Sequence, residues 1–312
     1  MKYALKKTAT MIITLFFVSV LVFFSFSLIP GNPAISKLGT EATPERIEAL
    51  SHEMGLDKPV TQRFTEWIFG VIRGDFGKSY SYSQSVTSLL SDKIKTTLLL
   101  SFMAIIICTV ISIPLGIFMA RKSDSKLDIA LSTINQIIMA VPSFFSGIIL
   151  TLIFGVAFKL FTPGAYVSYK TNLLGCLGYL FFPALAIALP KISMVSKLLK
   201  DTVLKESEKE YVRTAYSRGN RTKAVFYGHV LGNALIPVIT FMGMTFADII
   251  AGSIIVEQVF SVPGLGRILL SSISGRDYPV IEAIILLLAF FVVLSNLIVD
   301  LLYHKFDPRI HV

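Results

Sequence analysis

Gly77-Lys78-Ser79 has the ending of a phosphate-binding loop. Such a loop wraps a phosphate only when another glycine stands five residues before this one, and Ile72 occupies that place. The segment is therefore not read as a nucleotide site. His52, His229, His304 and His311 show no H-x-x-x-H spacing, and neither H-E-x-x-H nor G-x-S-x-G occurs. Zinc and serine-hydrolase chemistry are left without support. Cys108 and Cys176 lie in apolar runs without metal-ligand spacing and read as small buried hydrophobes. An intramembrane aspartyl protease needs two acids facing one another at mid-membrane. The chain offers Asp248, Glu257 and Asp300, the last two at the ends of apolar runs. The reading is no catalytic residue, no metal site and no cofactor held by this chain.

The chemistry that does stand out is electrostatic. Lys191–Lys223 carries 9 basic residues. Within it Val203–Ser217 suits a helix, Gly219-Asn220 breaks it, and Thr222–Leu231 suits a second. Glycine permits the positive φ that such a turn requires. Arg213, Arg218, Arg221 and Lys223 then surround a helix–glycine–helix elbow, a docking surface for a soluble partner. Asp248 is the other conspicuous charge. Mid-span, a carboxylate costs about 2.5–3.5 kcal/mol on insertion scales, so it must face protein or water. Two readings stay open: a packing acid bonded to a neighbouring helix, or a residue lining a pathway. Asn135, Gln136 and Ser253 join it as polar groups within apolar spans, although Asn and Gln also hold helices together.

The elements positioning these groups follow from composition. Of 312 residues 54% are apolar and only 16% charged, with mean hydropathy +0.71. Soluble domains carry about 25% charge, so this is an all-α integral membrane protein. Crossing the hydrocarbon core takes about 20 apolar residues. Six spans are expected, near Ala9–Ile29, Thr96–Ala120, Ile129–Phe158, within Thr171–Pro190, near Ala234–Val256 and near Val280–Asp300. The third is long enough to tilt or to include an interfacial turn. The first exceeds the roughly 7–15 apolar residues of a signal peptide and reads as an uncleaved anchor.

Basic residues orient the spans. The inner segments hold 3 (Lys2, Lys6, Lys7), 3 (Arg121, Lys122, Lys126), 9 (Lys191 to Lys223) and 2 (Lys305, Arg309), whereas the short outer loops hold 2 each. Both termini are expected on the cytoplasmic side of a multi-pass cell-membrane protein. The net charge of +9 is accounted for by topology and anionic lipid, with no nucleic acid needed. The long outer segment, Gly31–Lys95, balances 8 basic with 8 acidic residues. It should form a small helical extracytoplasmic cap, with one helix over Pro44–Leu56 capped by Thr43 and another over Gln62–Ile72 carrying the single Trp67. The division is thus residues 1–30 (inner terminus and first span), 31–95 (cap) and 96–312 (core), with the docking loop at 191–233.

Several segments together resemble the permease subunits of dipeptide/oligopeptide/nickel ABC importers. They are Met54-Gly55-Leu56-Asp57-Lys58-Pro59, Gly74-Asp75-Phe76-Gly77-Lys78-Ser79, Glu210-Tyr211-Val212-Arg213-Thr214-Ala215 with Gly219, and Asn233-Ala234-Leu235-Ile236-Pro237. Glu257 through Arg267, Arg276-Asp277-Tyr278-Pro279 and Asp307-Pro308-Arg309 complete the series. Ala215 and Gly219 have the alanine–three residues–glycine spacing of the family's cytoplasmic signature. Two departures stand out: Arg213 replaces the signature's glutamate, with Glu210 three residues earlier, and His229-Val230-Leu231-Gly232 replaces its I-x-L-P ending.

The resemblance implies a type I importer permease fold. It implies that Glu210, Tyr211, Arg213, Thr214, Ala215, Arg218, Gly219, Arg221 and Lys223 form the elbow docked on an ATPase. ATP and Mg would be held by two partner ATPase subunits. A second permease subunit, expected to differ from this one, and an extracytoplasmic substrate-binding protein complete the assembly. The cap and the Glu257–Arg276 segment, with Glu257, Pro263 and Gly264, would lie at the outer mouth. The expected substrates are di- and oligopeptides. A nickel or metal-chelate importer is the alternative within the family, and a secondary transporter the alternative outside it, although paired repeats are not visible.

Overall fold

The computed structural model describes residues 2–306. Asp307-Pro308-Arg309 and His311 lie outside the described residues, as do the side chains of His304 and Lys305. Among the described residues the chain is helical, with one isolated bridge between Lys78 and Ser85. Five helices are long and apolar enough to cross a membrane, and a sixth span is counted if one sharply bent pair is included.

Two compact units divide the chain: Met1–Leu98 with Val262–Leu297, and Leu99–Ser261 with Ile298–Val312. In the first, α1 (Lys2–Ser27) precedes three short helices, α2 (Pro33–Leu38), α3 (Pro44–Glu53) and α4 (Val60–Ile72). Asn32 caps α2 through the backbone N–H of Ala34, and Thr43 caps α3 through that of Arg46. Each cap satisfies an orphan N–H, and each helix opens with a proline that needs no donor partner. The two cap helices read from sequence are present as α3 and α4. The α2 turn was not anticipated, being a single short run between two glycines.

An aromatic cluster ties α4 to α1. Phe23 stands 5.4 Å from Phe64 and 5.5 Å from Trp67, between ring centroids, and Phe24 stands 5.5 Å from Phe64. The Arg63 guanidinium lies 5.9 Å over the Phe23 ring. α12 (Leu265–Ser274) and α13 (Tyr278–Phe306) as far as Leu297 also belong to this unit. α12 buries Leu265, Ile268, Leu269 and Ser272 at helical spacing. Its ten residues are too few to span a membrane.

The second unit is built on α8 (Leu173–Ser207), which packs against α6 (Lys126–Ala140), α7 (Ser143–Leu150) and α11 (Leu231–Val259). α5 (Val86–Arg121) enters it from the first unit. One expectation is made specific and another requires correction. Ile129–Phe158, long enough to tilt or to include a turn, includes a sharp one: α6 and the helix from Ser143 to Ala157 meet at 103°. Pro142 explains the break, since proline forces the preceding Val141 into extended backbone (φ −82, ψ 123) and then starts a new helix. The helix of the fourth span does not end at Pro190. α8 continues through Pro183 and Pro190 to Ser207, so Lys191 sits inside a helix and not in a loop.

Candidate functional site

The elbow begins where α8 stops. Glu208 ends that helix, and Lys209 turns extended (φ −70, ψ 148) before α9 (Glu210–Ser217) starts. Val203–Ser217 is therefore two helices with a break at Glu208-Lys209, and not the single one expected. α9 is short but strongly two-faced. Val212 and Ala215 are buried in a cluster with Leu199, Val203, Val225 and Val230. Glu210, Tyr211, Arg213, Thr214, Arg218, Gly219, Arg221 and Lys223 stand on the exposed side. Ala215 thus seats the helix, and the charged residues face outward.

Gly219 (φ +80) makes the turn, donating its N–H to the Tyr216 carbonyl at 2.9 Å. The Asn220 amide donates to the Ala215 carbonyl at 3.1 Å and closes the end of α9. A Cβ on Gly219 would meet nothing within 4 Å, so its requirement is the left-handed backbone and not local space. α10 (Thr222–Val225) then passes through a π-turn, Phe226–Val230, straight into α11. The elbow's second arm is therefore continuous with the helix of the fifth span, Thr222–Val259.

A hydrogen-bonded lock holds α9 in place. Glu206, on the last turn of α8, accepts from the Tyr211 hydroxyl at 2.7 Å and pairs with Lys209 at 2.6 Å. Asn233, at the start of α11, donates to the Tyr211 hydroxyl at 3.1 Å. Tyr211 so joins three helices. Burial, then the bond to Glu206, pushes its phenol above the ordinary range. The same carboxylate, through its hydrogen bond, raises the Lys209 ammonium. Glu210 and Arg213 pair at 3.0 Å, both largely exposed, a contact worth little to stability and open to exchange for a partner's charge. The Thr214 hydroxyl is spent on the Glu210 carbonyl at 3.0 Å.

The mid-span residues separate into two kinds. Asn135 is buried and donates at 2.9 Å to both the Ser193 carbonyl and the Ser196 hydroxyl, stitching α6 to α8. Ser253 is buried and donates to the Ile250 carbonyl of its own helix. Gln136 is exposed. Asp248 has an open side chain, 65% exposed, and accepts from Lys191 Nζ at 2.9 Å. A second ion pair, Lys200 with Asp128 at 2.6 Å, is nearly enclosed and joins α8 to the start of α6.

Of the residues expected at the outer mouth, Glu257 is buried in the second unit. In the first, Gly264 is buried at the start of α12 and Pro263 is partly covered. The polar centre of the first unit lies elsewhere, at Asp277. Its carboxylate accepts from the Ser79 hydroxyl at 2.5 Å, the Tyr80 N–H at 2.9 Å and the Ser81 N–H at 3.1 Å. Nearby, Arg276 donates to the Pro30 carbonyl at 2.7 Å. The Gly-Lys-Ser segment is thus a carboxylate-binding turn. Glu206, Asn233 and Asp277 were not singled out from sequence. Asn233 and Asp277 lay within the family-like segments, but a bond across 198 positions leaves no local signal.

These features define a polytopic helical subunit with an elbow on its basic segment. The chain belongs to the family described as binding-protein-dependent transport system inner membrane component, whose model matches residues 112–312, with the corresponding N-terminal model on 1–101. A putative peptide transport system permease protein of Brucella suis biovar 1 (strain 1330) is 34% identical over 307 residues, 98% of each chain. The oligopeptide transport system permease protein AppB of Bacillus subtilis (strain 168) is 32% identical over 311 residues, covering 99% of this chain and 98% of that one. A crystal structure of an amino acid ABC transporter with histidines aligns with TM-score 0.51 at 18% identity, over 72% of this chain and 95% of that one. That likeness carries the permease fold. The family consists of membrane components, and the chain is an inner-membrane transport subunit.

Proposed function

We propose that this chain is the membrane-spanning subunit of an ATP-driven importer of di- and oligopeptides, forming half of the translocation pathway. The elbow is the observation that carries this reading. Val212 and Ala215 anchor α9 in the core, while Arg213, Arg218, Arg221 and Lys223 stand exposed around the elbow. A soluble ATPase supplies the partner surface, and two such subunits closing on ATP and Mg would move the elbow. Because the second arm is continuous with α11, that displacement becomes a tilt of a spanning helix. Two-state gating requires that the docking contact differ between states.

The peptide substrate is supported by the names of the relatives, which refer to peptide and oligopeptide transport. A second, non-identical permease would complete the pathway, and an extracytoplasmic binding protein would deliver the peptide on the cap side. Both termini and the elbow are assigned to the cytoplasm.

Gly219→Trp tests the coupling. Tryptophan strains a φ of +80 and fills the space a partner groove would occupy. Membrane yield should match the native chain, while ATP-driven uptake of a labelled peptide falls by about tenfold, equivalent to roughly 1.4 kcal/mol. Unchanged uptake, or purification without any ATPase, would sink the reading.

A further inference from the structure

Asp248 on α11 and Lys191 on α8 form an ion pair whose carboxylate side is open. Lys191 is 19% exposed and Asp248 65%, the reverse of the enclosed Lys200–Asp128 pair at 14% and 5%. Their depth follows from the contacts above and below them. The Tyr179 hydroxyl donates to the Phe260 carbonyl, which registers α8 against the end of α11. From that level Lys191 and Asp248 are equally far along their helices, about 18 Å at a rise of roughly 1.5 Å per residue. The elbow carboxylate Glu206 lies about 22 Å further along α8 by the same measure. The pair is therefore mid-span. An exposed carboxylate there is costly against lipid, and such residues face protein or a water-filled path.

The surroundings suit a ligand of particular chemistry. A cavity of ≈ 280 Å³ adjoins the pair, at the 103° break between α6 and α7. Met139 and Met194 line it together with Ile187, Val141 and Pro142. Thioether side chains adapt to many shapes, so this wall would tolerate varied side chains. Asp248, by contrast, presents one fixed acceptor whose single lysine partner is largely covered.

Resting on the peptide reading above, we propose that Asp248 receives the free α-ammonium group of a peptide in transit. Lys191 holds the carboxylate in place until the substrate arrives, and the methionine wall accepts the residues behind the ammonium. The cavity reads the one feature common to all peptides with a free amino terminus and leaves their side chains unread. Lys191 is a positioning residue, and Asp248 is the group that touches substrate.

Trialanine uptake by the complete importer in vesicles tests the proposal. D248N should lower it about tenfold, the scale of one hydrogen bond to a charged group, with ATP hydrolysis by the assembly retained. D248E should recover part of the loss. The exchanged variant carrying D248K and K191D keeps an ion pair but moves the carboxylate, and should not recover. Full recovery by the exchange assigns a purely structural pair and overturns the proposal, as does D248N uptake within twofold of native. Should D248N not reach the membrane, Gly252→Cys, which lines the same cavity and leaves Asp248 intact, is read with a charged thiol reagent instead. Saturating trialanine should block labelling, and unchanged labelling overturns the proposal. ATP-driven peptide uptake absent from the native importer sinks the peptide reading and this proposal together; uptake present but indifferent to Asp248 sinks this proposal alone.

Discussion

Asp277 shows how much one buried carboxylate can organise. Three donors from Ser79, Tyr80 and Ser81 converge on it, and hydrogen bonds to a charged acceptor are worth about 1.5–3 kcal/mol each when made. Removing it leaves three donors without their acceptor in a closed setting. Asp277→Ala should weaken the segment around Ser79 by about 2–4 kcal/mol, with Asp277→Asn costing less. Limited trypsin cleavage after Lys78, which is exposed beside the turn, reads this directly. Cleavage as slow as in the native protein would mean that the turn holds itself. Asp277 itself was visible in the sequence as part of Arg276-Asp277-Tyr278-Pro279. Its partner was not, because nothing in a linear pattern couples a serine to an acid in the last third of the chain.

Among the elements, α9 carries the most testable physics. Only Val212 and Ala215 of its residues are buried, too little apolar surface to hold eight residues of helix unaided. The Glu206–Tyr211–Asn233 bonds supply the rest. Tyr211 and Lys209 both have folded pKa values raised above their ordinary values of 10.0 and 10.5. A raised value favours the protonated form in the fold, so the stabilisation is complete below about pH 10 and is lost as pH climbs through the shifted values. Amide exchange in α9, corrected for its intrinsic rate, should stay protected from about pH 6 to 9 and open above about pH 10. Loss of protection near neutral pH would assign the lock to other groups. The helix–glycine–helix outline was legible because Gly219 and a basic, amphipathic run are local signals. The break at Lys209 was not, since Val203–Ser217 has no proline or glycine to announce it and the turn is set by where Glu206 finds its donors.

At the scale of the whole molecule, orientation is the property everything else depends on. Cys108 and Cys176 are both fully buried, which leaves a low background for introduced thiols. Ser217→Cys, on the elbow, should react with a membrane-impermeant reagent only from the inner side, and Ser83→Cys, in the first unit, only from the outer side. The opposite pattern would remove the elbow from any cytoplasmic ATPase. Residue order by itself determined the class of the protein: apolar windows of membrane-spanning length, the placement of basic residues and the spacing of short family segments are one-dimensional quantities. Helix caps at Asn32 and Thr43 belong to the same local physics. Tertiary structure alone decided which polar residues are glue and which are open. Asn135 and Asp248 look alike within their apolar runs, yet one is enclosed between α6 and α8 while the other stands exposed beside a helix break. Burial and pairing depend on which faces of distant helices meet, and a helix's own sequence states its apolar period but not the neighbour it will pack against.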